Sequence, residues 1–364
     1  MNEFSHIPLT PSFLISTSGK ILPDCISIEI VDDQTFILLG TSDGELWLYT
    51  IDNEIPKKHA SSLGGVTIVT FRHMNHFKKT VAIVINLENL CYFFEIEGNQ
   101  NEWRPILTQN LIFNPCCYVI FEGKTGSEII LGTQNGGLGY FVENTKNEPV
   151  WKYSNFWSFK YEVTSIVQVN NENFIIGRGD GNAIMFNIKE NPERITNIIP
   201  EIATKDPYYV LLNHNKLTDK VLAVNGIGKL SLFNLEGKGE VVSVNIKKRP
   251  IFVGFWNNEA GQEIAIVGTP DGCVYFLSGN LRNLYRHEEL VQSFYLAKNQ
   301  KFILVIVGQS GMVSFFTKIM MLDNRIPRFA QFAKTDIEAI RNLINDRDTP
   351  DEAFISTYLY MPFP

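Results

Sequence analysis

The strongest constraint on the fold of this chain is an internal repeat with a period near 45 residues. Each copy contains an apolar run, a turn rich in glycine or asparagine, and a second apolar run that ends in aromatic residues. Steps of 45, 47, 45, 47, 44 and 39 residues separate the successive turn positions, which are Gly44, Asn89, Gly136, Gly181, Gly228, Gly272 and Gly311. This period is typical of the four-stranded blade of a β-propeller. Seven copies therefore predict an all-β, seven-bladed β-propeller.

The turn residues of the repeat predict a β-hairpin at the centre of each blade. Asp-Gly and Asn-Gly pairs between apolar runs favour two-residue turns in which both residues have positive φ. Asp43 and Gly44 form such a pair in the first copy, and the second copy is weaker, with Glu88 and Asn89 at the turn. We assign a structural role in these turns to Asp43, Gly44, Gly136, Gly181, Gly228, Gly272 and Gly311.

The segments around each hairpin supply the other two strands of a blade. A short apolar segment precedes every copy and predicts an inner strand that is covered on both faces. A weaker, more polar segment follows each of the first six copies and predicts an outer edge strand. The seventh copy has no such segment, whereas residues 12–16 form a spare strand before the first blade. We expect this strand to complete the last blade and close the ring.

The pattern changes after Phe316, so we divide the chain into a propeller over residues 1–318 and a helical C-terminal extension over residues 319–364. Residues 335–338 form a capping box, and residues 349–352 form a second helix start with proline in the first turn. Both predicted helices have an apolar face. They either pack on the propeller flank or bind a partner, and the two interpretations are compatible.

Aromatic residues of the second predicted helix are the candidate partner-binding residues. Aromatic side chains are enriched at the energetic centres of protein interfaces. The candidates are Phe354, Tyr358 and Tyr360.

Charge and cysteine usage exclude several classes of function. The net charge is −7 and the pI is about 5.5, which disfavours a nucleic-acid-binding protein. The five cysteines have no Cys-x-x-Cys spacing and indicate a reducing, cytoplasmic compartment. We find no signal peptide and no apolar run of transmembrane length, so we predict no direct membrane insertion. The basic runs are predicted to be solvated loops; they are Lys57-Lys58, Lys78-Lys79 and residues 247–249.

Motifs that would indicate catalysis or metal binding are weak. His73 and His76 are predicted to lie in a polar loop without further metal ligands. The glycines around Gly179 lead into a strand and not a helix, so they predict a hairpin and no phosphate loop. No inter-strand loop has the alternating acidic residues that calcium needs. Five unevenly spaced tryptophans argue against a quinone-dependent dehydrogenase. We therefore predict a protein that is no enzyme and has no catalytic residues, cofactor or metal.

The two ends of the chain resemble one known family. Residues 16–26 contain a Ser-Gly pair and a proline leading into the first inner strand, and the hairpins at residues 43–49 and 271–277 fit the same order. The helix start at residues 349–352 leads to Leu-Tyr-Met-Pro at residues 359–362. The sequence resembles the integrin-alpha FG-GAP repeat-containing family, the propeller subunit of the KICSTOR complex. It departs from that family in lacking a Phe-Gly-Gly-Ala-Pro signature.

The resemblance implies a non-catalytic scaffold subunit of a KICSTOR-like complex. Such a complex recruits the GTPase-activating GATOR complex to the lysosome and restrains TOR kinase signalling under nutrient limitation. The implied partners are a second, kaptin-like propeller subunit and a very large scaffold subunit, and the implied location is the cytoplasm, with peripheral association to the lysosomal surface through partners. Seven blades alone fit a propeller subunit of a trafficking coat or ciliary complex equally well, and this alternative stays open.

Overall fold

A computed structural model describes twelve segments of the chain. They are residues 4–31, 33–51, 56–97, 103–111, 114–124, 126–189, 196–197, 210–235, 239–257, 262–279, 281–297 and 302–319. These segments contain strands and turns only, and none of them holds a helix able to span a membrane. The predicted C-terminal helices, with Phe354, Tyr358 and Tyr360, lie outside the described residues, so these assignments and the domain boundary at 318/319 stay predictions.

The described strands form seven sheets, which confirms the predicted seven-bladed β-propeller. In each blade four strands pair in an antiparallel meander, and inner strands of successive blades contact one another around the central channel. Two short strands precede the first blade: β1 (Ser5–His6) and β2 (Phe13–Ser16).

The first three blades each contain four strands in chain order. They are β3 (Ile26–Val31), β4 (Gln34–Gly40), β5 (Leu46–Thr50) and β6 (Lys58–Ala60); β7 (Val66–Met74), β8 (Lys79–Asn86), β9 (Leu90–Glu95) and β10 (Leu107–Asn110); and β11 (Pro115–Glu122), β12 (Ser127–Thr133), β13 (Gly137–Glu143) and β14 (Trp151–Ser158).

Blades four to six continue this order, and blade seven contributes three strands. They are β15 (Val163–Gln168), β16 (Asn173–Arg178), β17 (Ala183–Asn187) and β18 (Thr196–Asn197); β19 (Val210–Asn215), β20 (Lys220–Asn225), β21 (Lys229–Asn234) and β22 (Gly239–Asn245); β23 (Phe252–Asn257), β24 (Glu263–Gly268), β25 (Cys273–Ser278) and β26 (Leu281–Arg286); and β27 (Val291–Leu296), β28 (Leu304–Gly308) and β29 (Met312–Phe316).

The ring closes as the sequence predicts, because β2 is the outer strand of blade seven. It pairs antiparallel with β29, and Phe13 lies opposite Phe315 with ring centroids 4.1 Å apart in a stacked arrangement. The Ser12 N–H donates to the Phe315 carbonyl at 2.6 Å, and the Thr17 N–H donates to the Gly311 carbonyl at 3.0 Å. This pairing covers the edge that β29 would otherwise expose.

Strand β1 adds a fifth strand to blade six, which the sequence analysis did not anticipate. It pairs in parallel with β26, with Ser5 opposite Asn283. Phe4 packs edge-on against Tyr275 at a centroid distance of 5.0 Å, and Ile7 is buried. The N-terminal segment therefore contacts both blade six and blade seven.

The same type of hydrogen bond occurs at four interfaces between neighbouring inner strands, and we call it the inner latch. A small polar side chain near the start of one inner strand donates to a backbone carbonyl at the start of the next blade. The pairs are Cys25 to Val66 at 3.3 Å, Cys117 to Val163 at 3.5 Å, Ser165 to Val210 at 2.9 Å, and Ser293 to Ile21 at 3.0 Å. Because a buried carbonyl without a partner is costly, these side chains help to fix the spacing of the blades. Cysteine and serine are thus interchangeable donors in this position.

The strand positions correct the loop assignments of Lys58, Lys79 and His73, and Lys79 is the first residue of β8. Lys58 lies in β6 and is buried. The Lys57-Lys58 run had predicted a solvated loop instead. Its Nζ donates to the carbonyls of Glu95 at 3.2 Å and Glu97 at 2.8 Å in blade two, so the ammonium exchanges water for fixed acceptors. His73 lies in β7, and the His76 N–H donates to Glu143, a residue distant in sequence.

Candidate partner-docking face

The central hairpin turns and the connections into the inner strands lie at the same end of the propeller, here called the hairpin face. In each blade the second strand ends there, the third begins there, and the fourth ends where the chain enters the next blade. Turns and inter-blade connections are the parts of this fold with the most freedom to vary. The hairpin face is one of the two loop-rich ends of the propeller, and it contains every connection between blades.

The turns themselves have three loop residues, and not the two that the Asp-Gly and Asn-Gly pairs predict. The six glycines assigned to the turns have φ between 78° and 86°, whereas the residue before each of them, such as Asp43, does not have positive φ. In every turn the N–H of the left-handed residue donates to the carbonyl three residues earlier, at 2.9–3.2 Å. This is a type I turn followed by a left-handed residue. In blade two Asn89, with φ 66°, takes the position of the glycine.

Glycine is favoured in these turns because the outer strand approaches them closely. The Phe159 N–H donates to the Gly136 carbonyl at 2.8 Å, and corresponding bonds reach Gly44, Asn89, Gly228, Gly272 and Gly311. A Cβ on Gly136 would lie 2.3 Å from the Phe159 carbonyl oxygen. The hairpin face is thus held by a repeated bond between the turn and the connection of the same blade.

Several exposed apolar side chains lie on the hairpin face. Ten large hydrophobic residues of the described segments are exposed, and half of them lie on this face. They come from turns, connections and the end of an outer strand, and they are Leu87, Phe156, Tyr161, Ile227 and Leu290. Leu87 and Phe156 line one groove on this face, and exposed apolar groups that share one site mark surfaces that bind other molecules.

A groove of about 810 Å³ opens on the hairpin face at blades one to three. Its apolar lining includes Leu22, Leu87 and Phe156, and the Phe156 ring packs where a side chain on Gly137 would lie. Its polar lining includes three amides, which are Asn114, Gln134 and Asn135. None of the described residues that line the groove is charged. An apolar surface with neutral hydrogen-bonding groups suits an uncharged segment of a protein partner.

β-Bulges border the channel mouth beside this groove. The second residue of the inner strand is the extra residue in four blades, and these residues are Thr67, Cys116, Thr164 and Gln292. Bulges redirect side chains and occur often beside binding sites. Thr67 and Cys116 line the groove, so the bulges of blades two and three help to shape it.

Charged groups occupy the hairpin face elsewhere, at blades five and six. Lys248 forms an ion pair with Asp271, and the Thr269 hydroxyl donates to the same carboxylate at 2.5 Å. Burial works against ionisation, but these bonds outweigh it and lower the pKa of Asp271 to about 2. The same ion pair raises the pKa of Lys248. The turns and connections of blades five and six therefore carry fixed charges, whereas the described lining of the groove carries none.

No cluster of three or more His, Cys, Asp or Glu side chains with metal-binding geometry occurs within the described segments. His76 Nδ1 lies 2.8 Å from the Asn144 carbonyl, and His214 contacts the Gln168 carbonyl at 2.8 Å and Asp219 at 3.1 Å. Each imidazole thus contacts a carbonyl of a neighbouring blade. The glycines around Gly179 belong to the hairpin between β16 and β17, as the sequence predicts.

Solved β-propeller structures are similar to this chain over most of its length. BBS1N in complex with ARL6DN matches with a TM-score of 0.65 and 11% identity, covering 86% of this chain and 97% of that chain. The WD40 β-propeller domain of Doa1 matches with a TM-score of 0.64 and 11% identity, covering 85% and 97%. Raptor of Chaetomium thermophilum matches with a TM-score of 0.65 and 12% identity, covering 86% of this chain and 29% of that chain.

These similarities establish the fold class, a seven-bladed β-propeller, and no more at such low identity. The sequence matches no protein-family model and no curated protein.

Sequence reasoning placed the candidate partner site in the C-terminal extension and missed the groove. Its lining comes from blades one, two and three, and the lining residues are far apart in sequence. Leu87 offered one local signal, because an apolar residue in a hairpin turn is unusual.

Proposed function

We propose that this protein is a non-catalytic scaffold subunit that binds partner proteins on its hairpin face. The observation that carries the proposal is the joint occurrence of exposed apolar side chains and a neutral groove on that face. Leu87 and Phe156 are exposed by 53% and 40%, and both line the groove. Burying such side chains against a partner stabilises a complex by roughly 1.5–3 kcal/mol each before the costs of association.

The lining of the groove supports a binding role more than a catalytic one. General acid–base chemistry needs titratable groups that are positioned together. Among the described lining residues, Cys116 is the only titratable side chain, and amides and hydroxyls supply the other polar groups. We therefore propose that the protein is no enzyme and uses no cofactor.

The more specific proposal is a subunit of a KICSTOR-like complex. In this role the protein helps to recruit a GATOR complex to the lysosomal surface and to restrain TOR kinase signalling when nutrients are scarce. A second, kaptin-like propeller and a very large scaffold subunit are the proposed partners. The residues at both ends of the chain that resemble the family support this role. The seven-bladed propeller supports it too, because it provides a surface for binding both partners.

A second candidate is a propeller subunit of a trafficking coat or ciliary complex. The similarity to BBS1N, a propeller that was crystallised with a second protein, ARL6DN, favours it. Both candidates require stable protein partners and differ in the identity of those partners.

Purification of the tagged full-length chain from its own cells tests these proposals. Bound proteins are identified by mass spectrometry from cells grown with and without amino acids. Recovery of a second propeller and a very large chain supports the KICSTOR-like role, and recovery of coat or ciliary subunits supports the alternative. A chain that elutes alone, at the size of a monomer and under both conditions, contradicts the scaffold function itself.

A further inference from the structure

Two adjacent cysteines lie beside each other at the edge of the groove because of a β-bulge. In a regular strand successive side chains point to opposite faces. In β11, however, Pro115 is opposite Thr133 and Cys117 is opposite Gly132, so Cys116 is an extra residue in the pairing. The bulge interrupts the alternation and brings the two thiols together.

Hydrogen bonds fix the convergence of the two thiols. The Sγ atoms of Cys116 and Cys117 both contact the Val163 carbonyl oxygen, at 3.1 and 3.5 Å. Cys117 is buried and forms the inner latch to blade four, whereas Cys116 is exposed and lines the groove. One thiol is therefore accessible to a small reagent and its neighbour is protected from it.

The contact between the two thiols also shifts their pKa values in opposite directions. The contact with Cys117 lowers the pKa of Cys116, whereas the same contact and burial raise the pKa of Cys117. The thiolate is the reactive form of cysteine. Cys116 is therefore the accessible thiol, with its pKa shifted towards the thiolate, and the buried Cys117 is placed to react second.

We propose that Cys116 and Cys117 form a redox-active thiol pair, which a hydroperoxide oxidises to a disulfide between adjacent residues. The Cys116 thiolate attacks one peroxide oxygen, the O–O bond breaks, and with hydrogen peroxide the products are Cys116 sulfenic acid and hydroxide. The Cys117 sulfur then attacks the sulfenic sulfur, the S–O bond breaks, and water leaves with the Cys117 proton. In total, two thiols and one hydrogen peroxide give one disulfide and two waters.

The product is expected to be reversible and to alter this part of the fold. Adjacent Cα atoms across a trans peptide lie about 3.8 Å apart, below the usual range for disulfides. Such a bond is strained, and strained disulfides are readily reduced. Its formation also removes both S–H donors from the Val163 carbonyl, so the latch between blades three and four is lost.

The test uses the purified, reduced full chain and hydrogen peroxide, with peptide mass spectrometry as the readout. We expect the peptide containing both cysteines to lose two hydrogens and to regain them with dithiothreitol. Blade four supplies compatible substitutions, because Thr164 and Ser165 occupy the corresponding positions. Cys117→Ser is expected to stop at Cys116 sulfenic acid. Cys116→Thr is expected to form no disulfide at this site, with Cys117 oxidised at least about tenfold more slowly than Cys116 in the wild type. Cys273→Ser, which changes another buried cysteine, is expected to leave the reaction unchanged.

Binding of phenylarsine oxide gives a second readout that does not depend on oxidation. A trivalent arsenical binds two converging thiols together, so we expect one equivalent per chain and loss of binding in either single variant. The proposal is wrong if wild-type Cys116 accumulates as sulfinic acid while Cys117 stays reduced. It is also wrong if the arsenical binds Cys116→Thr as well as it binds the wild type.

Discussion

The ring-closing strand gives the sharpest test of how this fold is held together. In β2, Ile15 is 4% exposed and packs in the core between blade seven and blade one, whereas Leu14 is 41% exposed on the opposite face. Replacing a buried isoleucine with alanine costs about 2–5 kcal/mol. Because β2 has only four residues and can relax, we expect Ile15→Ala to cost about 2–3 kcal/mol, at the lower end of that range. Leu14→Ala is expected to cost less than about 0.5 kcal/mol.

Urea unfolding, monitored by intrinsic fluorescence, measures the free energy of unfolding that each of the two variants loses. We expect a lower midpoint for Ile15→Ala with an unchanged slope, since the area exposed on unfolding is nearly the same. Hydrogen exchange should also accelerate in residues 312–316, because the outer edge of β29 opens when β2 detaches. Equal midpoints for the two variants, or faster exchange only in other blades, would refute the proposed closure.

Three further predictions concern a turn, an ion pair and a contact between blades. Gly136→Ala should lower the free energy of unfolding by about 1–3 kcal/mol. This loss should exceed that of Gly279→Ala, because Gly279 has φ 54° but no atom within 4 Å of an added Cβ. The urea midpoints of the two variants measure the difference. Because the pKa of Asp271 is lowered to about 2 from an ordinary value of 3.8, its ion pair stabilises the fold above about pH 4 and loses this effect as the pH falls towards 2. Asp271→Asn should therefore cost less than about 1 kcal/mol near pH 7, given its exposure, and unfolding midpoints that diverge from the wild type at acidic pH would contradict this. Gln109→Ala should cost about 1–3 kcal/mol by thermal unfolding, because the Gln109 amide bonds both the N–H and the carbonyl of Trp151 in the next blade, at 2.8 and 2.6 Å.

The blades were predictable because their signals are local. Each hairpin needs a residue that tolerates positive φ beside a closely approaching chain, and glycine meets this need within one short window. The spare segment at residues 12–16 was predictable by elimination, since blade seven lacked a fourth strand. The turn type was wrong in detail, because Asp-Gly pairs occur in both two-residue and three-residue loops.

Features that depend on distant residues were not predictable from the sequence. Strand β1 has two residues and pairs with β26 in blade six, far along the chain, so no periodicity reveals it. Lys58 was assigned to solvent from its neighbours, yet its acceptors are carbonyls of another blade. The bulge at Cys116 and the neutral groove arise from the way successive blades meet, and a single sequence window contains neither.

Partner binding on the hairpin face is tested by comparing variants of the two faces of the propeller in one experiment. Leu87→Ser and Phe156→Ser alter the groove on the hairpin face, and Leu217→Ser alters a residue on the opposite face that is 81% exposed. Tagged chains are purified from the source cells, and the recovery of bound partners is quantified by mass spectrometry. We expect a loss of at least about tenfold in partner recovery for the groove variants, as for central interface residues, and no change for Leu217→Ser. Full recovery with both groove variants, or a loss with Leu217→Ser alone, would contradict docking on the hairpin face.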